Sequence, residues 1–206
     1  MNATKNIQTA HNKAVSRIYG HGRGWVFTPN DFRDLGTRQA IGAILRRLVN
    51  RGVIQRVGHG LYQYPVRHPT IGIINPSPEA VARALAGRTA ARLLPSGAYA
   101  ANILGLSQQV PARITFLTDA PSKTVRLGRQ VIQLKQTVTR NMATADRISG
   151  TVIQALRFIG RKNVDERVIK ALCSRLTEGE KKILAKDAKY APGWLEVFLR
   201  QIVSSR

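Results

Sequence analysis

Residues 5–64 alternate apolar runs at helical spacing with glycine-containing breaks, and that order constrains the fold more than any other feature of the chain. Ile7, Ala10, His11, Ala14, Val15 and Ile18 recur at three- and four-residue steps and mark one face of a helix over 5–19. Gly20-His21-Gly22-Arg23-Gly24 ends it as a hinge or turn, and Trp25-Val26-Phe27 is a short extended run. Thr28-Pro29-Asn30-Asp31 then supplies an N-cap, a proline at the first helical position and an acid in the first turn, which opens a short helix through Leu35. Gly36-Thr37 breaks that helix and caps the next, where Ile41, Ile44, Leu45, Leu48 and Val49 share one side until Gly52 stops it. Residues 54–57 and 61–64, joined by Gly58-His59-Gly60, read as a β-hairpin with a glycine-rich tip. Helix, short strand, helix, turn, helix, hairpin is the order of a winged helix-turn-helix, expected over residues 1–65.

Opposite the apolar side of 38–51 lie Gln39, Ala43, Arg46 and Asn50, flanked by Arg38, Gly42 and Arg47. Arginine reads guanine, glutamine and asparagine read adenine, and a small residue permits close approach in a major groove. A solvated helix face has a similar composition. Its place between a capped short helix and a basic glycine-rich hairpin is what singles this face out. Arg56 and His59 sit on or beside the hairpin tip, where a wing meets phosphate or the minor groove. Arg56, always charged, is the better phosphate contact of the two.

Charge points the same way. The chain carries 33 Lys+Arg against 11 Asp+Glu, a formal net charge of +22. Such a surplus repels itself in the compact state and attracts phosphate backbones at long range, so nucleic acid is the expected partner. Residues 1–65 hold 10 basic and 2 acidic side chains, which leaves +14 for residues 66–206, so the charge belongs to a folded surface and not to an appended tail. Hydrophobic residues at 43% allow that surface to enclose a packed core.

Pro65, Pro69, Pro76 and Pro78 bracket Ile71-Gly72-Ile73-Ile74, which suggests a connecting segment at 66–75 with a brief extended stretch. A second domain over 76–206 follows. Ser77-Pro78-Glu79 opens a helix to about Ala86, and a further helical stretch precedes or spans Pro95-Ser96-Gly97. Residues 113–118 and 131–135 read as strands. Helices over about 144–159, 165–176 and 179–202 complete the chain, the last broken at Pro192-Gly193. The fold class expected is α+β, a winged helix-turn-helix followed by a mixed domain with a helical C-terminus.

Enzymatic readings find little support. Cys173 is the only cysteine, which rules out an intramolecular disulfide and a multi-cysteine metal site, and its neighbours Val168, Ile169, Leu172 and Leu176 suit a buried structural thiol. The histidines, at 11, 21, 59 and 68, form no i,i+4 pair and have no ligand-spaced acid or cysteine, so neither a metal nor a cofactor is expected. Asp119 stands alone at a strand end, without the second acid that magnesium chemistry needs, and suits a turn cap. No apolar run approaches a membrane span or a signal peptide, so the expectation is a cytoplasmic, nucleoid-associated protein.

Pro95-Ser96-Gly97-Ala98-Tyr99-Ala100-Ala101-Asn102, then Leu104-Gly105-Leu106-Ser107, Gln109-Val110-Pro111 and the strand end Leu117-Thr118-Asp119, resembles the bacterial type IV antitoxins of the abortive-infection AbiEi type, closest to a branch left as a domain of unknown function. That resemblance implies a protein whose winged helix represses its own operon and whose C-terminal domain counteracts a nucleotidyltransferase-type toxin, without requiring a tight complex. Read physically, Gly97 and Gly105 permit turns, while Tyr99, Ile103, Leu104 and Leu106 pack a helix onto the strand at 113–118. Arg88, Arg92, Arg113, Lys123, Arg126 and Arg129 surround that junction and could form a second basic surface for duplex DNA or RNA. Two functions follow: an operator-binding regulator, with double-stranded DNA as partner, or an RNA- or ribosome-associated protein without operator specificity.

Overall fold

The structure, a computed structural model, describes residues 2–87 and 91–204, with side chains from residue 9 onward. Helix α1 (Asn2–His21) buries Ala14 and Ile18 completely, with Ala10 and Val15 packed beside them. Ile7 shares their expected face, and its side chain lies outside the described residues. Strand β1 (Val26–Phe27) pairs antiparallel with β3 (Leu61–Gln63), whose other edge pairs with β2 (Gln55–Gly58). The sheet order is β1-β3-β2.

The segment after Thr28 is a 3-10 helix, Pro29–Leu35, instead of the short α-helix expected. Thr28 and Asp31 close a capping box, and the run is too brief to repeat the i→i+4 ladder before Gly36. Helix α2 (Arg38–Asn50) starts where the Thr37 hydroxyl accepts from the Ala40 amide at 3.2 Å. It ends at Gly52, φ +67°, where the Gly52 amide bonds Val49 O at 2.9 Å and the Val53 amide bonds Leu48 O at 3.0 Å. These two bonds form a Schellman stop, which a residue with a Cβ would resist. Ile41, Ile44, Leu45 and Leu48 on α2 join Phe27, Phe32 and Ile54 in one core.

Residues 66–75, expected as a connection, instead contain a β-hairpin, β4 (Val66–His68) with β5 (Gly72–Ile74). Its prolines flank the strands and so remove no ladder donor. The hairpin is tied back by Gln63 Nε2 donating to Ile74 O at 3.1 Å and by Arg23 donating to Pro65 O at 3.0 Å. Helix α3 (Pro78–Ala86), capped by Ser77, buries Val81 and Ala82 and packs on β1. The first compact unit is therefore Met1–Ala90 with Val125–Leu127, and the boundary expected at residue 65 moves past α3.

The second unit comprises Ala91–Thr124 and Gly128–Arg206. A four-stranded sheet has the order β6-β7-β9-β8, from β6 (Leu93–Ser96), β7 (Arg113–Thr118), β8 (Lys123–Leu127, whose last three residues are those counted with the first unit) and β9 (Gln130–Gln136). Strand β6 runs antiparallel to β7, and β7 parallel to β9. The helical stretch expected across Pro95 is this strand, an edge where a missing N–H is tolerated. Helix α4 (Ala98–Ile103) begins after it. On β7 the pleat turns Ile114, Phe116 and Thr118 inward.

Four further helices follow, α5 (Ile148–Ile159), α6 (Glu166–Arg175), α7 (Glu178–Asp187) and α8 (Glu196–Ser204). The helical C-terminus agrees with the expected fold class, α+β, although 3-10 turns at Ala188–Tyr190 and Gly193–Leu195 divide the last expected helix more widely than Pro192-Gly193 alone would. Val152, Leu156, Leu172, Leu184, Leu199 and Ile202 form the centre of this layer. Asp187, 3% exposed, accepts from Arg147 at 2.7 Å and from the Ser149 hydroxyl at 2.5 Å, which ties α7 to the start of α5.

Candidate nucleic-acid interface

Burying Ile41, Ile44, Leu45 and Leu48 leaves Arg38, Gln39, Ala43, Arg46, Arg47 and Asn50 exposed on the opposite side of α2. Arg38, Gln39, Gly42, Ala43 and Arg46 line an open concavity of about 580 Å³. The floor is low because Gly42 and Ala43 project almost nothing, and a Cβ on Gly42 would meet no atom within 4 Å. Gln39 to Asn50 spans about 16 Å at the helical rise, a length of face that a major groove accommodates.

Two acids stand in residues 1–65, Asp31 and Asp34, and both are engaged elsewhere. Asp31 accepts from the Thr28 amide and hydroxyl at 2.8 and 3.0 Å. Asp34 takes a two-pronged bond from Arg17, at 2.8 and 2.6 Å, and the hydrogen bond raises the Arg17 pKa from its ordinary value. Arg17 also donates to Asp31 O at 2.6 Å and lies 5.6 Å over the Phe32 ring. One guanidinium thus fixes α1 to the 3-10 helix that delivers the chain into α2. Arg38, Arg46 and Arg47 have no ion-pair partner among the described residues, so their charge faces solvent uncompensated.

Arg56 and His59 are both exposed on the β2–β3 hairpin. Arg56 Nε donates to Gly58 O at 3.3 Å, and Gly60 turns the chain at φ +62°. The hairpin therefore projects one fixed cation and one imidazole. Arg17 escaped the sequence reading because its partners are 14 and 17 residues away, and nothing local in the sequence signals a contact at that separation.

The second basic surface does not come together as one patch. Arg113 opens β7 beside Val131 of β9, and Arg126 and Arg129 flank the β8–β9 turn, so these three share one end of the sheet. Arg92 precedes β6 and Lys123 opens β8, at the opposite end of strands about 17 Å long. Arg88 lies outside the described residues. Arg92 is also committed: its amide and Nε donate to Asp119 at 3.0 and 2.9 Å, and Nη1 donates to Met142 O at 3.1 Å. The Arg92 hydrogen bond holds the Asp119 carboxyl below the usual carboxylate range. Asp119 is a strand-end clasp in place of the turn cap expected.

The 95–111 stretch is packing. Gly97 and Gly105 take φ +61° and +72°, and Tyr99 meets Phe116 edge-on at 5.5 Å. Asn102 donates to Ser107 O at 3.0 Å and holds the loop after α4. Cys173, half-buried, directs its thiol to Ile202 O at 3.7 Å. Among the described residues no group of three or more His, Cys, Asp or Glu could hold a metal ion, and no helix is long and apolar enough to cross a membrane.

Residues 13–184 match the model of a family described as "Family of unknown function (DUF6088)". No curated protein matches the chain.

Proposed function

The chain belongs to the DUF6088 family, whose function is unknown, and from its own geometry we propose that it is a DNA-binding transcriptional regulator that reads duplex DNA with α2. In this reading residues 1–65 are a winged helix-turn-helix, α2 is the recognition helix, and the β2–β3 hairpin is the wing. The observation that carries it is the open face of α2. Arg38, Gln39 and Arg46 border a floor of Gly42 and Ala43, with Arg47 and Asn50 exposed on the same helix and none of the three arginines paired to an acid among the described residues, a combination suited to a base-reading helix. Repression of its own operon, as antitoxin against a nucleotidyltransferase-type toxin, rests on the resemblance of residues 95–119 to the AbiEi type. Growth restored on co-expression with such a toxin supports that role, and no restoration removes it.

A gel shift with the region upstream of its own gene, against competitor duplex and structured RNA, tests the DNA reading. Arg46→Ala is expected to weaken specific binding by about 1–3 kcal/mol and to affect random duplex less. Arg56→Ala is expected to lower affinity for every sequence and to flatten the salt dependence by about one unit of slope. Equal losses on specific and random duplex for Arg46→Ala would reduce α2 to a phosphate contact. Preferential binding of structured RNA would transfer the chain to the RNA-associated class.

A further inference from the structure

Helix α5 ends at Gly160, φ +80°, and the chain turns at once into the 3-10 helix Arg161–Asn163. Around this turn four side chains are exposed together: Arg157, Phe158, Arg161 and Lys162. Phe158 is 54% exposed, although Val152, Ile153, Ala155 and Leu156 of the same helix are all buried. No acid occurs between residues 147 and 164, and none of the three cations has an ion-pair or hydrogen-bond partner among the described residues. The negative end of the α5 dipole accounts for cations here. It does not account for a phenylalanine placed in water among them.

The turn is held rigid. The Gly160 amide bonds Leu156 O, the Asn163 amide bonds Gly160 O and Asn163 Nδ2 bonds Ile159 O, each at 2.9 Å. One edge of the Phe158 ring comes 3.9 Å from where a Cβ on Gly97 would stand, so a glycine N-terminal to α4 backs the ring on one side. An exposed ring on a hydrogen-bonded turn that also exposes Arg157, Arg161 and Lys162 has two features to offer, a π-face and positive charge close by in the chain. Duplex DNA would use the charge alone, because its bases are already stacked within the helix. An unpaired strand uses both, each base stacking on the ring while its phosphates meet the cations.

We propose that the Arg157–Phe158–Arg161–Lys162 turn of the second unit is a binding site for single-stranded nucleic acid, in which Phe158 stacks against an unpaired base. The turn belongs to the second unit and α2 to the first, and the proposal stands whether or not α2 reads DNA.

The test measures binding of the full chain to a fluorescent single-stranded RNA of mixed sequence, of about twelve nucleotides, and in parallel to a random DNA duplex. Both are measured in an Arg46→Ala, Arg47→Ala background that weakens α2. Phe158→Ala is expected to lower RNA affinity about five- to a hundredfold, the range for losing one base–aromatic stack, with the salt slope unchanged. Phe158→Trp retains a π-face and is expected to bind as well as the parent. Arg161→Ala is expected to weaken RNA binding and reduce the salt slope by about 0.7. Duplex binding should change little with Phe158→Ala. Single-stranded DNA of the same sequence is expected to show the same loss with Phe158→Ala. Undiminished RNA affinity in Phe158→Ala, or equal losses on RNA and duplex, would each overturn the proposal. Circular dichroism of each variant confirms that the fold survives, and an exposed side chain gives it little reason not to.

Discussion

Asp119 shows at the residue scale how a basic chain uses its few acids. Its carboxylate clasps the amide and side chain of Arg92, and Arg92 in turn reaches Met142 O, so three strand and loop ends are held by one pair. The folded-state pKa is lowered by that hydrogen bond. A depressed carboxyl contributes stability above its unfolded value, near 4, and loses it as pH falls through the folded value. Asp119→Asn is therefore expected to melt below the parent at pH 7, with the gap closing as pH falls below the usual carboxylate range. The two side chains are 40% and 35% exposed, so the gap should be modest. Thermal melts between pH 2 and 7 read it directly, and a gap that does not vary with pH would mean the charge is irrelevant to the clasp.

On the scale of a single element, α2 carries opposite demands on its two sides. Folding asks for good helix formers throughout, while close approach to a groove asks for small side chains on the outer face. Gly42 is where the two conflict, since its backbone is helical, its φ is not positive and a Cβ would meet nothing within 4 Å. Gly42→Ala should stabilise the chain by about 0.5–1 kcal/mol through helix propensity. If α2 enters a groove, the added methyl should weaken specific duplex binding at the same time. A denaturant midpoint and a binding isotherm on the same protein provide both signs. A variant that is more stable and binds as tightly as the parent would place the outer face of α2 away from DNA.

Whole-molecule organisation decides where the chain can be cut. A fragment ending at residue 70 severs the β4–β5 hairpin and removes α3, whose Val81 and Ala82 are fully buried in the first unit. A fragment ending at residue 90 keeps both elements. The shorter fragment is expected to melt broadly or not at all, and the longer one cooperatively, below the temperature of the full chain because Val125–Leu127 is missing. Circular dichroism melts of the two fragments distinguish these outcomes, and an equally sharp melt for the 1–70 fragment would make α3 an accessory.

The sequence by itself determined the elements whose reasons are local. Apolar spacing placed α2 and its outward Gln39, Ala43, Arg46 and Asn50, and a glycine at the C′ position stopped it with two hydrogen bonds closed within five residues. Alternation placed β7, where each inward side chain sits two residues from the next. Tertiary structure alone decided whatever depends on partners distant in the chain. Pro95 became part of a strand because an edge position spares its missing donor, and β8 was hidden because Lys123, Thr124 and Arg126, all exposed, leave too few apolar residues for alternation to show. The hairpin at 66–74 is fastened by Arg23 and Gln63, the approach to α2 by Arg17, and Arg92 by Asp119, across separations of 11 to 42 residues. Hydrophobic periodicity and capping act within a turn or two of the chain, so composition reveals them. A salt bridge or an edge strand exists only once distant segments have been brought together, and no local pattern encodes which of 33 cations will find one of 11 acids.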